Sequence, residues 1–134
     1  MLTALLSGEV AASFLVPTSA LPQAASGKLR MLAVSSAQRL EAAPDLPTFI
    51  EQGVAGFEVQ NWIGLLGPAG MPQPVITQLN TEIEKILQHQ DIKKRATSLG
   101  ITLARMGVDE FNAMIATDAA KWDRAVRESG ARVE

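Results

Sequence analysis

The sequence predicts an α/β protein of short, mostly parallel strands flanked by helices, and three patterns carry that reading. The first is an apolar run, a proline-started helix and a second apolar run in succession, because strand–helix–strand connections in one sheet are normally parallel and right-handed. The second is a period of 3.6 residues that sets in at Gln73 and returns in the last part of the chain. The third is "PDLPTFIEQGVAGFEVQNWIGLLGPAGMPQP" (Pro44 to Pro74), where four prolines before Pro74, five glycines and one of the two tryptophans punctuate an apolar strand. A segment of that kind is built to pass between two environments.

In chain order, Leu2 to Leu6 reads as a helix end stopped by Gly8, and "EVAASFLV" (Glu9 to Val16) as a short buried strand. Pro17 and Thr18 start a helix that Gly27 ends, and "LRMLAVSS" (Leu29 to Ser36) is a second apolar strand. "AQRLEAAPDLP" is a loop, and "PTFIEQG" a short helix closed by Gly53. In "GFEVQNWIGLLGPAG", Phe57, Val59, Asn61 and Ile63 alternate with Glu58, Gln60, Trp62 and Gly64, which suits a half-exposed strand, whereas "IGLLG" suits burial on both faces. From Gln73, the residues Val75, Ile76, Leu79, Ile83, Ile86 and Leu87 share one helical face. "QDIKKRATSLG" is a shorter helix ended by Gly100, "ITLAR" a short strand, and Val108 to Ser129 a long helix with Phe111, Met114, Ile115, Ala119, Trp122 and Val126 as its buried stripe. Asp109 and Glu110 complement the dipole at its start, and Gly130 follows its end.

Composition narrows the function classes. The chain has 134 residues, 47% hydrophobic and 19% charged, a globular balance for one domain with its own core. Twelve basic and 14 acidic side chains give a net charge of -2 and no basic footprint, so no nucleic-acid partner is expected. With no cysteine, no tyrosine and one histidine, thiolate chemistry is excluded and the usual proton-transfer and metal-binding groups are nearly missing. Neither catalysis, nor a metal, nor a cofactor is expected. No Lys or Arg precedes Lys28, and Ser7-Gly8-Glu9 interrupts the first apolar run, so the chain is read as carrying no secretory signal and as cytoplasmic if made as given.

His89, in "LQHQD", reads as a solvated linker, the run Lys93 to Arg95 as a solvated helix face, and "GPAGMP" as a turn into the next helix. "VPTSA" (Val16 to Ala20) is the best small-ligand candidate. A strand end feeding a helix N-terminus presents backbone N–H groups and the hydroxyls of Thr18 and Ser19 to an anion. On physics alone the preferred reading is plainer: Thr18 or Ser19 caps its own helix. Trp122 lies on an apolar stripe and is read as core, while Trp62 either lines a cleft or covers a neighbouring loop.

The stretches "SALP", "GKLRMLAVSSAQR", "PDLPTF", "GFEVQNWIGLLGPAGMP", "LNTEI" and "AKWDRAVRESGARVE" stand in an order and at spacings that resemble the carboxy-terminal part of the substrate-binding proteins of tripartite tricarboxylate transporters, the Bug family. The resemblance spans nearly the whole chain. It implies part of a type II periplasmic-binding-protein fold, in which two α/β lobes joined by crossing strands close over a small carboxylate solute and hand it to membrane transporter subunits. On that basis residues 1–58 end the second lobe, 59–68 are the crossing strand and 69–134 are the helical part of the first lobe. Pro17, Thr18 and Ser19 would be the ligand-binding shoulder, and Asn61 and Trp62 hinge or cleft residues. The location implied is periplasmic.

The same comparison exposes departures. The family's Gly-rich loop in the first lobe and Ser/Gly/Thr-rich loop in the second have no counterpart in this sequence, and its acidic residue after the strand phenylalanine is replaced, since Leu15 and Val16 follow Phe14. The leading expectation is therefore a truncated or fragmentary solute-binding protein. The alternative is a stand-alone α/β interaction module that has lost the ligand pocket, and a small enzyme comes third. Strands left without neighbours would favour a homodimer.

Overall fold

The computed structural model describes residues 1–131 and contains five helices among them: α1 (Leu2–Leu6), α2 (Pro17–Ala25), α3 (Gln73–Gln88), α4 (Gln90–Ser98) and α5 (Val108–Ser129). Pro17 opens α2 at its first position, where a missing N–H costs nothing. His89 is the N-cap of α4, and Asp91 stands in its first turn. α5 begins with Asp109 and Glu110 against its dipole and closes at Gly130, whose φ of 67° is the left-handed cap that glycine supplies without strain.

The residues fall into two compact units. The first comprises Met1–Leu66 with Gln88–Leu103, and the second Gly67–Leu87 with the chain from Ala104 on. In the first unit the core is small. Ala20 of α2, Ala96 of α4, Val34 and Thr48 are the buried residues among those described. In the second, the Asn80 side-chain amide donates to the Met106 carbonyl at 3.2 Å and Arg105 lies 3.9 Å from Glu84, which ties the loop entering α5 to α3.

The strands depart from expectation. Glu9 to Val16 runs as bends and irregular chain, Leu29 to Ser36 pairs at Val34 alone and bends at Ser35 and Ser36, and "ITLAR" has no regular structure. The one bridge among the described residues is parallel and joins Val34 to Thr48, which lies in the stretch read as a helix, not to the Glu9 to Val16 run. The Val34 amide donates to the Pro47 carbonyl at 2.9 Å, and the Phe49 amide returns to the Val34 carbonyl at 3.0 Å. On the other side, the Val59 amide donates to the Ser35 carbonyl at 2.9 Å and the Ser35 hydroxyl to the Val59 carbonyl at 2.7 Å. The Leu29 to Ser36 segment is thus a central line touched on both sides without a ladder on either. Strand propensity is realised through neighbours rather than by the backbone alone, and Glu9 to Val16 has no such neighbour.

Two further expectations are corrected. "PTFIEQG" forms turns rather than a helix; its start is fixed by Thr48 and Glu51, but too few residues precede Gly53 to repay helix nucleation. The stripe of α5 is not buried: Phe111, Met114 and Ile115 are half-buried, Ala119 and Val126 are exposed, and Trp122 keeps 43% of its surface in solvent. Its amphipathic face has no covering surface along its C-terminal half among the described residues.

Candidate functional site

The shoulder at the start of α2 is built from short-range geometry. Val16, not Thr18 or Ser19, is the N-cap, with an extended backbone (φ -70°, ψ 143°) and no side-chain cap, so the capping role expected of those hydroxyls is not observed. The Val16 carbonyl instead accepts the Ser19 amide at 2.9 Å and the Ala20 amide at 3.1 Å. Pro17 has no N–H. Among the described residues neither the Thr18 amide nor its hydroxyl has a hydrogen-bond partner, and Thr18 is exposed beside a half-buried Ser19. Pro22, inside α2, cannot donate to the Thr18 carbonyl four residues back. The first turn therefore offers a backbone donor, two hydroxyls and a carbonyl of unusual freedom.

What holds this turn in place comes from parts of the chain distant in sequence. Gly100, with φ +67°, sits directly against it: a Cβ at that position would lie 2.7 Å from Pro17 Cβ and 2.8 Å from Leu21 Cδ1. Gly100 is thus a close-approach residue as well as the stop after α4, and the sequence shows the stop alone. Just before the turn, Phe14 stacks on Phe49 and Phe57 with ring centroids 5.7 and 6.0 Å away, and Phe49 and Phe57 are 4.7 Å apart. Such ring pairs add about 0.5–1.5 kcal/mol beyond the area they bury. Three phenylalanines scattered over 44 residues of sequence carry no periodic signal that could have joined them.

Asn61 and Trp62 lie just beyond Val59, in an extended stretch without regular structure; both are exposed, Trp62 at 37%. Phe57, four residues before Asn61, brings this stretch and the α2 shoulder to the same aromatic cluster. His89 and the run Lys93 to Arg95 are exposed, as expected of solvated groups, and "GPAGMP" is a turn leading into α3. Among the described residues no cluster of His, Cys, Asp or Glu could hold a metal, and no helix is long and apolar enough to cross a membrane.

Charge perturbation is concentrated in the loop before residue 52. The Glu51 carboxyl is held below the usual carboxylate range, first by the Arg39 hydrogen bond and then by the Thr48 amide. Arg39 is shifted upward by the same hydrogen bond and by the charge of Glu51.

Residues 1–131 match the family described as the tripartite tricarboxylate transporter family receptor, TctC. Protein BugT of Bordetella pertussis is 32% identical over 130 residues, which cover 97% of this chain and 40% of that protein. The structure of the periplasmic binding protein BugD superposes with a TM-score of 0.74 at 29% identity, over 87% of this chain and 40% of that one. MatC from Rhodopseudomonas palustris with bound malate gives a TM-score of 0.74 at 28% identity, over 93% and 44%. The α/β binding-protein fold is the one these neighbours share, and the chain spans about 40% of the length of the relative and structures it matches. With the match running from the first residue to residue 131, this chain belongs to the tripartite tricarboxylate transporter receptor family, a family of periplasmic substrate-binding receptors.

Proposed function

We propose that these residues serve as part of a solute-binding protein for small organic carboxylates, whose loaded form delivers its solute to a tripartite membrane transporter. The observation that carries the reading is the α2 shoulder: a helix start with a donor at Thr18, braced by Gly100 and the Phe14 cluster, in a chain similar to a malate-bound protein. In this reading residues 1–58 end one lobe, 59–68 cross to the other, and 69–134 flank it. Pro17, Thr18 and Ser19 face the solute carboxylate, with Asn61 and Trp62 at the hinge or cleft.

A helix start suits an anion because its first N–H groups are unsatisfied and its dipole is positive there. One shoulder is nevertheless a small part of a pocket, and small-molecule sites bury most of their ligand. By itself the chain should therefore bind no dicarboxylate tighter than roughly millimolar, about 4 kcal/mol. Replacing the matching part of MatC with this chain should restore the rest of the cleft and bring malate affinity to roughly micromolar, about 8 kcal/mol. Isothermal titration is the test. A folded chimera that binds no carboxylate overturns the proposal, and micromolar binding by the chain alone overturns the need for further structure.

A further inference from the structure

The loop carrying "PDLPTF" contains a cluster that the shoulder does not use directly, and Glu51 is its hub. Glu51 Oε2 accepts the Thr48 amide at 2.7 Å, while Oε1 and Oε2 accept Arg39 Nε at 3.0 and 2.9 Å. The Glu51 amide donates back to Thr48 Oγ1 at 3.1 Å, which completes a capping box, and Arg39 Nη1 donates to the Pro44 carbonyl at 3.0 Å. Residues 39–51 are thereby closed into one hydrogen-bonded loop.

The product of this closure is the placement of Thr48 and Phe49. Thr48, at 2% exposure, is the most deeply buried of the core residues, and its neighbours Pro47 and Phe49 bracket Val34 in the parallel bridge. The Phe49 ring then lies 5.7 Å from Phe14, two residues before the N-cap of α2. A continuous physical path joins Glu51 to the shoulder through Thr48, Phe49 and Phe14.

We infer that Arg39 and Glu51 are positioning residues for the α2 shoulder: the clamp fixes the Phe49 ring against which Phe14 sets the chain's entry into the helix. The inference rests on the reading of that shoulder as the solute-carboxylate contact and specifies how it is held before solute arrives. An exposed ion pair alone contributes little. Here the same carboxylate also satisfies the amide of a buried residue, and losing it strands that donor.

Hydrogen exchange followed by NMR on the whole chain, without solute, tests the inference. Glu51→Ala should accelerate exchange at the Phe49 amide and also at the Ser19 and Ala20 amides by about tenfold, with the α5 amides from Phe111 to Ile115 unchanged. Glu51→Gln keeps an acceptor for the Thr48 amide and should recover most of the protection. Arg39→Ala should add little at Ser19 and Ala20 in the Glu51→Ala background, because Arg39 reaches Thr48 through Glu51 and its other bond ends at the Pro44 carbonyl. Acceleration confined to residues 47–51, with Ser19 and Ala20 as in the parent, overturns the inference and leaves the clamp a local staple. Should Glu51→Ala speed the α5 amides too, Arg39→Lys gives the milder perturbation, which keeps the charge and loses the paired geometry, with the same two outcomes read at Ser19 and Ala20. Because no solute is present, this result and the malate titration stand or fall separately.

Discussion

Gly100 is the residue at which backbone conformation and packing meet most tightly. Its positive φ disfavours any L side chain, and a Cβ would meet Pro17 and Leu21 at under 3 Å. Gly100→Ala should cost on the order of 2–4 kcal/mol, from the left-handed penalty and the overpacking together. Gly130→Ala, with the same φ of +67° and nothing within 4 Å of the added methyl, should cost only about 1–2 kcal/mol. Urea midpoints compare the two, and equal losses would show that α4 does not press on the α2 shoulder. Glu51 yields a prediction in pH. Its folded pKa lies below its unfolded value, so its contribution is complete above the ordinary glutamate range of about 4.3 and is lost as pH falls through the depressed value. Arg39, shifted upward, stays charged throughout that window. The melting temperature of the parent should therefore fall more steeply than that of Glu51→Gln below about pH 4.3, in low salt, with parallel curves above about pH 5. Parallel curves over the whole acid range would mean that the Arg39–Glu51 pair is too well solvated to matter.

Among the elements, helices were legible in the sequence and strands were not, for one physical reason. A helix satisfies its hydrogen bonds within itself and announces its ends locally, so α3 starts at Gln73 and α5 runs from Val108 to Ser129 as their periods and caps predict. A strand is completed by neighbours, and Glu9 to Val16 shows that an apolar run without them stays irregular. The site was legible to the same degree. The proline-started turn at Pro17 was readable, whereas its braces at Gly100 and Phe49 depend on contacts between distant parts of the chain. The T-x-x-E pattern of Thr48 and Glu51 predicts a capped helix start, and the structure keeps the cap but continues it only as a short turn. Trp122 departs from the core position its stripe predicts, because an apolar stripe states what a helix prefers to bury, not whether a surface is there to bury it. With 43% of its surface exposed, Trp122→Ala should cost about 1 kcal/mol rather than the 3–5 kcal/mol of a core tryptophan. Hydrogen exchange should also be faster from Ala119 to Ser129 than from Phe111 to Ile115, where α5 is half-buried. Uniform protection along α5 would contradict this.

At the scale of the molecule, uncovered apolar surface is the dominant feature. Ile63 is 95% exposed, Leu66 69% and Phe14 69%, and Leu32 and Leu65 are similarly open. At about 25 cal/mol per Å², several hundred Å² left in water forgo on the order of 10 kcal/mol, comparable to the whole stability of a typical domain. Pairing of two copies over these exposed side chains would recover part of it, so the isolated chain is expected to sediment as a dimer or to bind a hydrophobic dye as a loosely packed monomer. A clean monomer with a sharp melt and no dye binding would favour the stand-alone module. In the proposed function, the first turn of α2 grips a carboxylate when the rest of the binding-protein fold is supplied. Its most direct test is malate titration of the MatC chimera carrying Thr18→Val and Ser19→Ala, which leave the helix intact and remove only the two hydroxyls. Affinity should fall by about tenfold or more, as for hydrogen bonds to a charged group. Unchanged affinity in the double variant would contradict it.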